Sequence, residues 1–376
     1  MKVLHVYRTY FPDPPGGLQE AIRQICISTQ AYGGVESTVF TLSPKPWPRV
    51  VERSEAKVVR CRSWAAPASC DLGALDAVQT FRQLAAQADV IHYLFPWPYA
   101  DVLRLFAPKK PSVLTYISDI VRQRWLGMVY GPLMWQTLRS MDAIVSNAPA
   151  YAAGSPVLSD SSIKARVRQI PLGIDESSYA VAPDEAVFAK LGIKPAEPFV
   201  LFVGVLRYYK GLHVLLNACR HVAGRVVVAG AGPEASALES QASALGLNNV
   251  VFAGQVTDSE KMALLNGCRC LVLPSHLRSE AYGMVLVEAS MMGKPMVTCE
   301  IGTGTSFVNL HDETGFVVPP ESPVALAQAM NALLGDGMLA ENLGHAARRR
   351  YEALFSGPAL GRAYAQLYQD VLKNRP

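Results

Sequence analysis

Short apolar runs rich in β-branched residues recur along this chain, and most are followed by a stretch of helical period. In the first half they are "KVLHVY" (2–7), "STVFTL" (37–42), "DVIHYL" (89–94), "SVLTYI" (112–117), "DAIVSN" (142–147) and "VRQIPLGI" (167–174). Segments such as "LQEAIRQICISTQAYG" lie between them. The second half repeats the plan with "PFVLFVGVL" (198–206), "RVVVAG" (225–230), "NVVFAG" (249–254), "CLVLPS" (270–275) and "KPMVTCE" (294–300). A continuously apolar strand needs cover on both faces, which a parallel sheet with helices on either side provides. At 376 residues the chain is too long for one ordinary core. The pattern therefore predicts an α/β protein of two doubly wound parallel-sheet domains, joined near "YAVAPDEAVFAKLGIKPAEP" (179–198). The tail "GPALGRAYAQLYQDVLKN" sets Leu360, Tyr364, Leu367, Tyr368 and Val371 along one face of a closing helix. Facing domains of this kind would hold a ligand in the cleft, at the carboxyl ends of their strands.

Composition narrows the class of function. The formal charge of +4 is too small to suggest nucleic-acid binding by itself. It is uneven, however: residues 1–180 hold 19 Lys and Arg against 14 Asp and Glu, a hint that this half meets something anionic. Seven cysteines form no paired metal-site pattern, and most sit in apolar runs, as expected of buried free thiols in a reducing cytoplasm. The amino-terminal "MKVLHVYRTYFPD" reads as strand and loop rather than a secretory leader. No apolar run approaches the ~20 residues that cross a bilayer.

"SEAYGMVLVEASMMGKP" (279–295) carries two glutamates, Glu280 and Glu288, in an otherwise almost wholly apolar or small stretch. Burying a bare carboxylate costs several kcal/mol, so each needs a partner. Glu280 follows the strand ending "VLPS", and a helix starting near Tyr282–Gly283 would offer its first amides to an anion. Glu288, inside that helix, suits either a diol such as a ribose 2′,3′-pair or a buried salt bridge to a distant cation. In "FVGVLRYYKGLHVLL" (202–216), Arg207 and Lys210 follow a strand and precede a helix. They suit a diphosphate, or else are solvated cations at a helix start. "VVVAGAGPEASALE" matches G-x-G-x-x-A, but the acid that a nicotinamide or flavin fold wants about 20 residues later is absent. Gly16-Gly17, between the first strand and its helix, could admit a ligand to the backbone or simply make a tight turn. The segment "RQRWLGMVYGPLMWQTLR" (122–139) mixes arginines with large apolar residues and suits either a core or an anionic lipid surface.

Taken in order, these features resemble the GT-B-fold, retaining glycosyltransferases of family 4. The likeness runs through Gly16-Gly17, "IPLGID" (170–175), "RYYKG" (207–211), "VVAGAGPE" (227–234), "VLPS" and the E-x7-E pair, then "GKPMV", "IGTGTSFV" and "ETGFVVPP". "RYYKGL", "TYISDIVRQ", "FPWPYADVL" and "EIGTGTSFVN" look most like bacterial O-antigen and common-polysaccharide mannosyl- and rhamnosyltransferases, which use GDP-sugars. The resemblance implies that Glu288 holds the donor's ribose and Glu280 lies by its sugar. It implies that amides around Tyr282, Gly283, Met284 and Val285 take sugar or diphosphate oxygens, and that Lys210 neutralises the leaving phosphate. Gly16-Gly17 would close over the diphosphate or acceptor, and contacts near "FAGQV", ending at Val256, would bear on the base. No D-x-D element is present, and the family generally needs no metal or other cofactor.

The resemblance also implies residues 1–180 as an acceptor-side domain and 181–356 as a donor-binding domain, with the closing helix 357–376 crossing back. The partners would be a nucleotide-sugar donor and a polyprenyl-diphosphate-linked saccharide, with no nucleic acid. The place would be the cytoplasm, peripheral to the inner membrane. Two positions depart from the family pattern: Val205 stands where GRL-x3-KG has its arginine, leaving Arg207 to substitute, and Ile117 replaces a sugar-facing histidine. Asp119, two residues on, would contact a sugar or cap a helix. A UDP-sugar donor, an epimerase or phosphorylase of like architecture, and a non-catalytic sugar-nucleotide-binding protein are the alternatives.

Overall fold

The computed structural model describes residues 1–13, 16–66, 71–118 and 124–373, with the helix backbone alone at 124–129. The chain divides into two compact units: residues 1–175 together with the segment from Gly357 onward, and residues 176–356.

The first unit is built on a sheet of eight strands among the described residues: β1 (Lys2–Val6), β2 (Glu36–Ser43), β3 (Val50–Glu52), β4 (Lys57–Arg62), β5 (Val90–Phe95), β6 (Ser112–Tyr116), β7 (Ala143–Ser146) and β8 (Val167–Gln169). Their order is β3-β4-β2-β1-β5-β6-β7-β8, all parallel except the edge strand β3, which runs antiparallel to β4. Helices α1 (Gly17–Gly33), α2 (Leu75–Gln87), α3 (Pro98–Leu105), α4 (Arg124–Ser140) and α5 (Pro149–Gly154) connect them.

The second unit carries α6 (Ala186–Lys190), β9 (Phe199–Val203), α7 (Leu212–Cys219), β10 (Arg225–Ala229), α8 (Ala235–Ala244), β11 (Val250–Gly254), α9 (Asp258–Gly267), β12 (Cys270–Leu273), α10 (Met284–Met291), β13 (Met296–Cys299), α11 (Thr305–Val308) and β14 (Gly315–Val318). It closes with α12 (Pro323–Gly335) and α13 (Gly337–Arg350). Its parallel sheet runs β11-β10-β9-β12-β13-β14. The chain winds outward from β9 on one side and from β12 on the other. The crevice where such a sheet binds ligands therefore opens beyond the carboxyl ends of β9 and β12.

The last helix, α14 (Gly357–Lys373), belongs to the first unit and packs along α1. The aliphatic and aromatic face read from the tail is the one it buries: Leu360, Tyr364, Leu367, Tyr368 and Val371 join Val3, Ile25, Val90 and Val113 in one core. Polar bonds fix its register. Tyr368 is hydrogen-bonded to His92 Nδ1 at 2.8 Å, while Thr115 Oγ1 bridges His92 Nε2 at 2.7 Å and the Tyr364 hydroxyl at 2.9 Å. His5 lies beside His92, its ring 5.2 Å away. Burial holds both imidazoles well below their ordinary range, His5 at about 3.

Six of the cysteines lie among the described residues, all free and buried. Burial pushes the thiols of Cys26, Cys219, Cys268 and Cys299 up to about 12, so they act as packing groups rather than nucleophiles. No helix among the described residues is long and apolar enough to cross a membrane.

Candidate active site

Two loops of the second unit meet beyond the crevice between β9 and β12. The first leaves β9 through residues 204–206, held along the turn after β10: Gly204 N–H donates to Ala229 O at 3.0 Å, and Leu206 N–H to Ala231 O at 2.9 Å. A Cβ at Gly230 would fall 2.0 Å from Gly204 O, and one at Gly232 2.4 Å from Leu206 O. The G-x-G turn is thus glycine because a neighbouring backbone lies against it, which accounts for the motif without a dinucleotide. The loop then makes a short 3₁₀ turn, Tyr208–Lys210, and ends at Gly211, whose φ of 72° lies in the left-handed region. A Cβ there would sit 2.1 Å from Pro274 O, in the second loop. His276 N–H donates to Tyr209 O at 3.1 Å and completes the clamp.

This clamp brings Lys210 to Glu280. The ammonium donates to Glu280 Oε2 at 2.6 Å, and Ser275 Oγ donates to the same oxygen at 3.4 Å. Both charged side chains are nearly enclosed, with 12% and 11% of their surface exposed. Burial disfavours the ammonium, but the attraction of Glu280 outweighs it and holds Lys210 above its ordinary range. Arg207, exposed at the start of the turn, adds a second positive charge that acts on Lys210. His276, buried directly after Ser275, packs edge-on against Tyr208 and His213, whose rings stack at 5.1 Å. Neither of its ring nitrogens has a hydrogen-bond partner, and burial, aided by the neighbouring His213, lowers its pKa.

The second glutamate lies on α10. Gly283 starts that helix in a left-handed conformation, φ 82°, so the amides of Met284 and Val285 open its first turn, where intrahelical acceptors are lacking. Tyr282 is buried against the loop before α11: Gly304 N–H donates to Ala281 O at 2.8 Å, and Arg278 Nη1 to Gly302 O at 2.7 Å. Glu288 faces inward, and its Oε1 accepts from the Tyr179 hydroxyl at 2.6 Å and from Lys261 Nζ at 3.1 Å. The buried carboxylate therefore has the salt bridge that the sequence left open. Both bonds fall on one of its two oxygens.

Of the residues singled out in the sequence, the second unit gathers Lys210 and Glu280 into direct contact and places Tyr282, Gly283, Met284, Val285 and Glu288 on the loop and helix that follow. Val256 is half-buried just before the Thr257 cap of α9. In the first unit Gly16 caps α1 in an extended conformation, and a Cβ on Gly17 would meet nothing within 4 Å. Packing inside that unit does not demand a glycine at position 17. Asp119 lies outside the described residues, as do 122–123 and the side chains of 124–129 in the arginine-rich segment. Of its remainder, Met134 and Trp135 are half-buried, and the Tyr130 hydroxyl bonds the buried carboxylate of Asp101.

Tyr179, Lys261 and His276 are parts of the site that the sequence did not announce; Ser275 ends the "VLPS" motif, and His276 directly follows it. A separate cavity of about 740 Å³ opens at the opposite, amino end of the same sheet, beside Phe199, Arg269 and Pro295. It is far from the charged pair. Among the described residues no group of three or more His, Cys, Asp or Glu is placed to hold a metal ion. Chemically, the assembly is a buried cation with a second one close by, a helix start that favours negative charge, and two carboxylates able to accept from hydroxyls.

Comparison with known proteins gives the family. Residues 16–173 match the family described as glycosyl transferase 4-like domain, and residues 183–350 the family of glycosyl transferases group 1. The chain is 47% identical over 360 residues to the D-rhamnosyltransferase WbpZ of Pseudomonas aeruginosa, covering 95% of this chain and 92% of that one. It is 39% identical to the O-antigen chain mannosyltransferase C of Escherichia coli over the full length of both. Among solved structures, a sucrose-phosphate synthase from Thermosynechococcus elongatus superposes with a TM-score of 0.80 at 24% identity, over 100% of both chains. WaaG, a glycosyltransferase involved in lipopolysaccharide biosynthesis, gives 0.68 at 19% identity, over 97% of this chain and 99% of that one.

Proposed function

Since this chain belongs to the GT-B-fold glycosyltransferases of family 4, we propose that it transfers a mannose-type hexose, D-rhamnose or D-mannose, from a GDP-sugar to a lipid-linked saccharide in O-antigen synthesis. The sugar class rests on the two full-length relatives, one named for D-rhamnosyl and one for mannosyl transfer. Those sugars differ only at C6. The observation that carries the site reading is the buried Lys210–Glu280 pair beyond β9 and β12, beside the start of α10.

In this reading the donor's diphosphate lies against the amides of Met284 and Val285, where the helix dipole favours negative charge. Lys210, held by Glu280 on one side, turns its remaining N–H bonds to the leaving phosphate, and Arg207 supplies a second cation. Glu280 Oε1 accepts from a sugar hydroxyl. Glu288 keeps Tyr179 and Lys261 on Oε1 and offers Oε2 to the ribose. As the bond from the anomeric carbon to the phosphate oxygen breaks, negative charge gathers on the diphosphate, and these fixed positive groups lower that barrier. The acceptor hydroxyl forms the new bond on the same face and passes its proton to the departing phosphate, so configuration is retained. Gly16-Gly17, in the first unit, offer backbone amides to the acceptor. No residue serves as a covalent nucleophile, and no metal takes part.

Calorimetric titration with GDP and then UDP tests the reading. Binding of GDP much tighter than UDP is expected. The reverse would overturn the donor while keeping the fold, and binding of neither would overturn the nucleotide-sugar site itself.

A further inference from the structure

In the first unit, the loops after β2 and β4 and the first residue of α2 push large apolar side chains into solvent. Trp47 is 85% exposed, Leu75 80% and Trp64 64%. Folding gains nothing from such exposure, so a patch of this kind marks a surface that meets something. Trp47 rides on "PKPWP", where Pro44, Pro46 and Pro48 fix three of five φ angles. The indole is thereby held out with little entropy left to lose on binding. Trp64 is steadied by a backbone pair with Leu72: its N–H donates to Leu72 O at 2.9 Å, and Leu72 N–H donates to Ala65 O at 2.8 Å. The Arg62 guanidinium lies 4.8 Å over the Trp64 ring.

Cations fill the space between. Lys45, Trp47, Arg49, Arg62 and Asp76 line one open hollow of about 560 Å³. Beneath it the buried Arg60 donates to the Lys45 carbonyl at 2.9 Å, Ser43 Oγ at 2.9 Å and Asp13 Oδ1 at 3.1 Å. That one side chain braces the loops after β1 and β2 together. Residues 43–64 hold six cations and two acids, as large an excess as the whole chain's +4. This is where the basic bias of the first half is concentrated.

We propose that this surface docks on an anionic lipid bilayer, with Trp47, Trp64 and Leu75 entering the headgroup boundary and Lys45, Arg49 and Arg62 meeting lipid phosphates. Indole rings favour that boundary, and flanking cations are drawn to an anionic leaflet. Leu75, with Leu72 and Val50 also exposed, argues for lipid over nucleic acid, because aliphatic tips have no use against a sugar-phosphate backbone. The proposal deepens the reading of a lipid-linked acceptor and rests on it for its purpose. Docking here would present the carboxyl ends of β1 and β2 to a saccharide tethered in the same leaflet.

The test is flotation of the full chain with phosphatidylethanolamine–phosphatidylglycerol vesicles and with phosphatidylcholine vesicles, neither carrying donor or acceptor. Wild type should float with the anionic vesicles and lose binding as salt rises. R49Q/R62Q should partition roughly thirtyfold more weakly, and W47A/W64A should lose most of the bound fraction. Both should keep transfer to a water-soluble acceptor. Wild type remaining in the aqueous phase would overturn the proposal, as would both variants floating like wild type. So would loss of flotation in W135A but not in these variants, or tighter binding to an oligonucleotide than to vesicles. Failure of the GDP-sugar reading would appear in the nucleotide titration and leave flotation unchanged, so the two cannot be confused.

Discussion

On the proposed reading Lys210 faces two demands, neutralising Glu280 and meeting a phosphate, and a double-mutant cycle separates them. Removing one member of a buried ion pair strands the other charge, at a cost of about 3–5 kcal/mol. Glu280 keeps the Ser275 hydroxyl and a little solvent, with 11% of its side chain exposed, which puts Lys210→Met near the lower figure. Glu280→Gln leaves the ammonium an amide oxygen to donate to, and should cost about 1–2 kcal/mol. In K210M/E280Q no charge is stranded, so stability should return to within about 1 kcal/mol of wild type. The resulting coupling, roughly 3 kcal/mol or more, is well outside the ~0.5 kcal/mol scatter of independent sites. Turnover should behave differently. Loss of a cation placed where charge develops costs about 10²–10³ in rate, and the double variant has lost it too. Urea midpoints at constant slope give the stability cycle, and nucleotide release with acceptor present gives the kinetic one. If K210M/E280Q regains both stability and turnover, Lys210 serves only to neutralise Glu280, and its role at the phosphate is refuted.

Glu288→Ala removes the acceptor offered to the ribose and should weaken GDP-sugar binding by roughly ten- to a hundredfold; unchanged affinity by calorimetry would sink that assignment. EDTA should leave transfer intact, and a strong loss restored by a divalent cation would contradict metal-free catalysis. His5 and His92 are held neutral in the fold, so below their unfolded pKa of about 6.5 the unfolded chain binds more protons and stability falls with pH, by up to about 1.4 kcal/mol per unit for each histidine. The loss should begin near pH 6.5 and, for His5, run down to about pH 3. His5→Leu, which removes a ring whose Nδ1 has no partner, should flatten the slope measured by urea midpoints between pH 7 and 5; an unchanged slope would clear His5 of the effect.

The parts of this protein written in local pattern could be read from sequence, and those written in long-range contact could not. Both sheets were legible in most of their apolar strands, though not in the short edge strand β14, and so was the buried face of α14, because periodicity is a local property. β4 escaped because its "KVVRCR" carries Lys57, Arg60 and Arg62; Arg60 is buried only because Asp13, Ser43 and Lys45 come from elsewhere to satisfy it. The site divides the same way. Glu280, Lys210 and Gly283 stand at strand ends and a helix start, and their environment follows from that position. Tyr179 and Lys261 reach Glu288 across 109 and 27 residues of chain, and no spacing rule connects them. The G-x-G turn was legible as a motif but not as a cause, since what requires its glycines is the backbone of residues 204–206.

The two glutamates share an arrangement that bears on how the site works when empty. Each gives one oxygen to cations and hydroxyls of its own unit: Glu280 Oε2 to Lys210 and Ser275, Glu288 Oε1 to Lys261 and Tyr179. A carboxylate with no internal partner in so enclosed a place would be costly to bury and free to turn. Internal partners fix both groups in direction before substrate arrives. On the proposed reading, the donor's hydroxyls add to the second oxygen instead of displacing a bond already made. Little reorganisation remains for binding or for the transition state, which is where preorganised polar groups contribute most to rate. On this account Lys261 and Tyr179 are positioning residues. Their removal would loosen the donor through Glu288, leaving the reacting bond itself to Lys210 and Glu280.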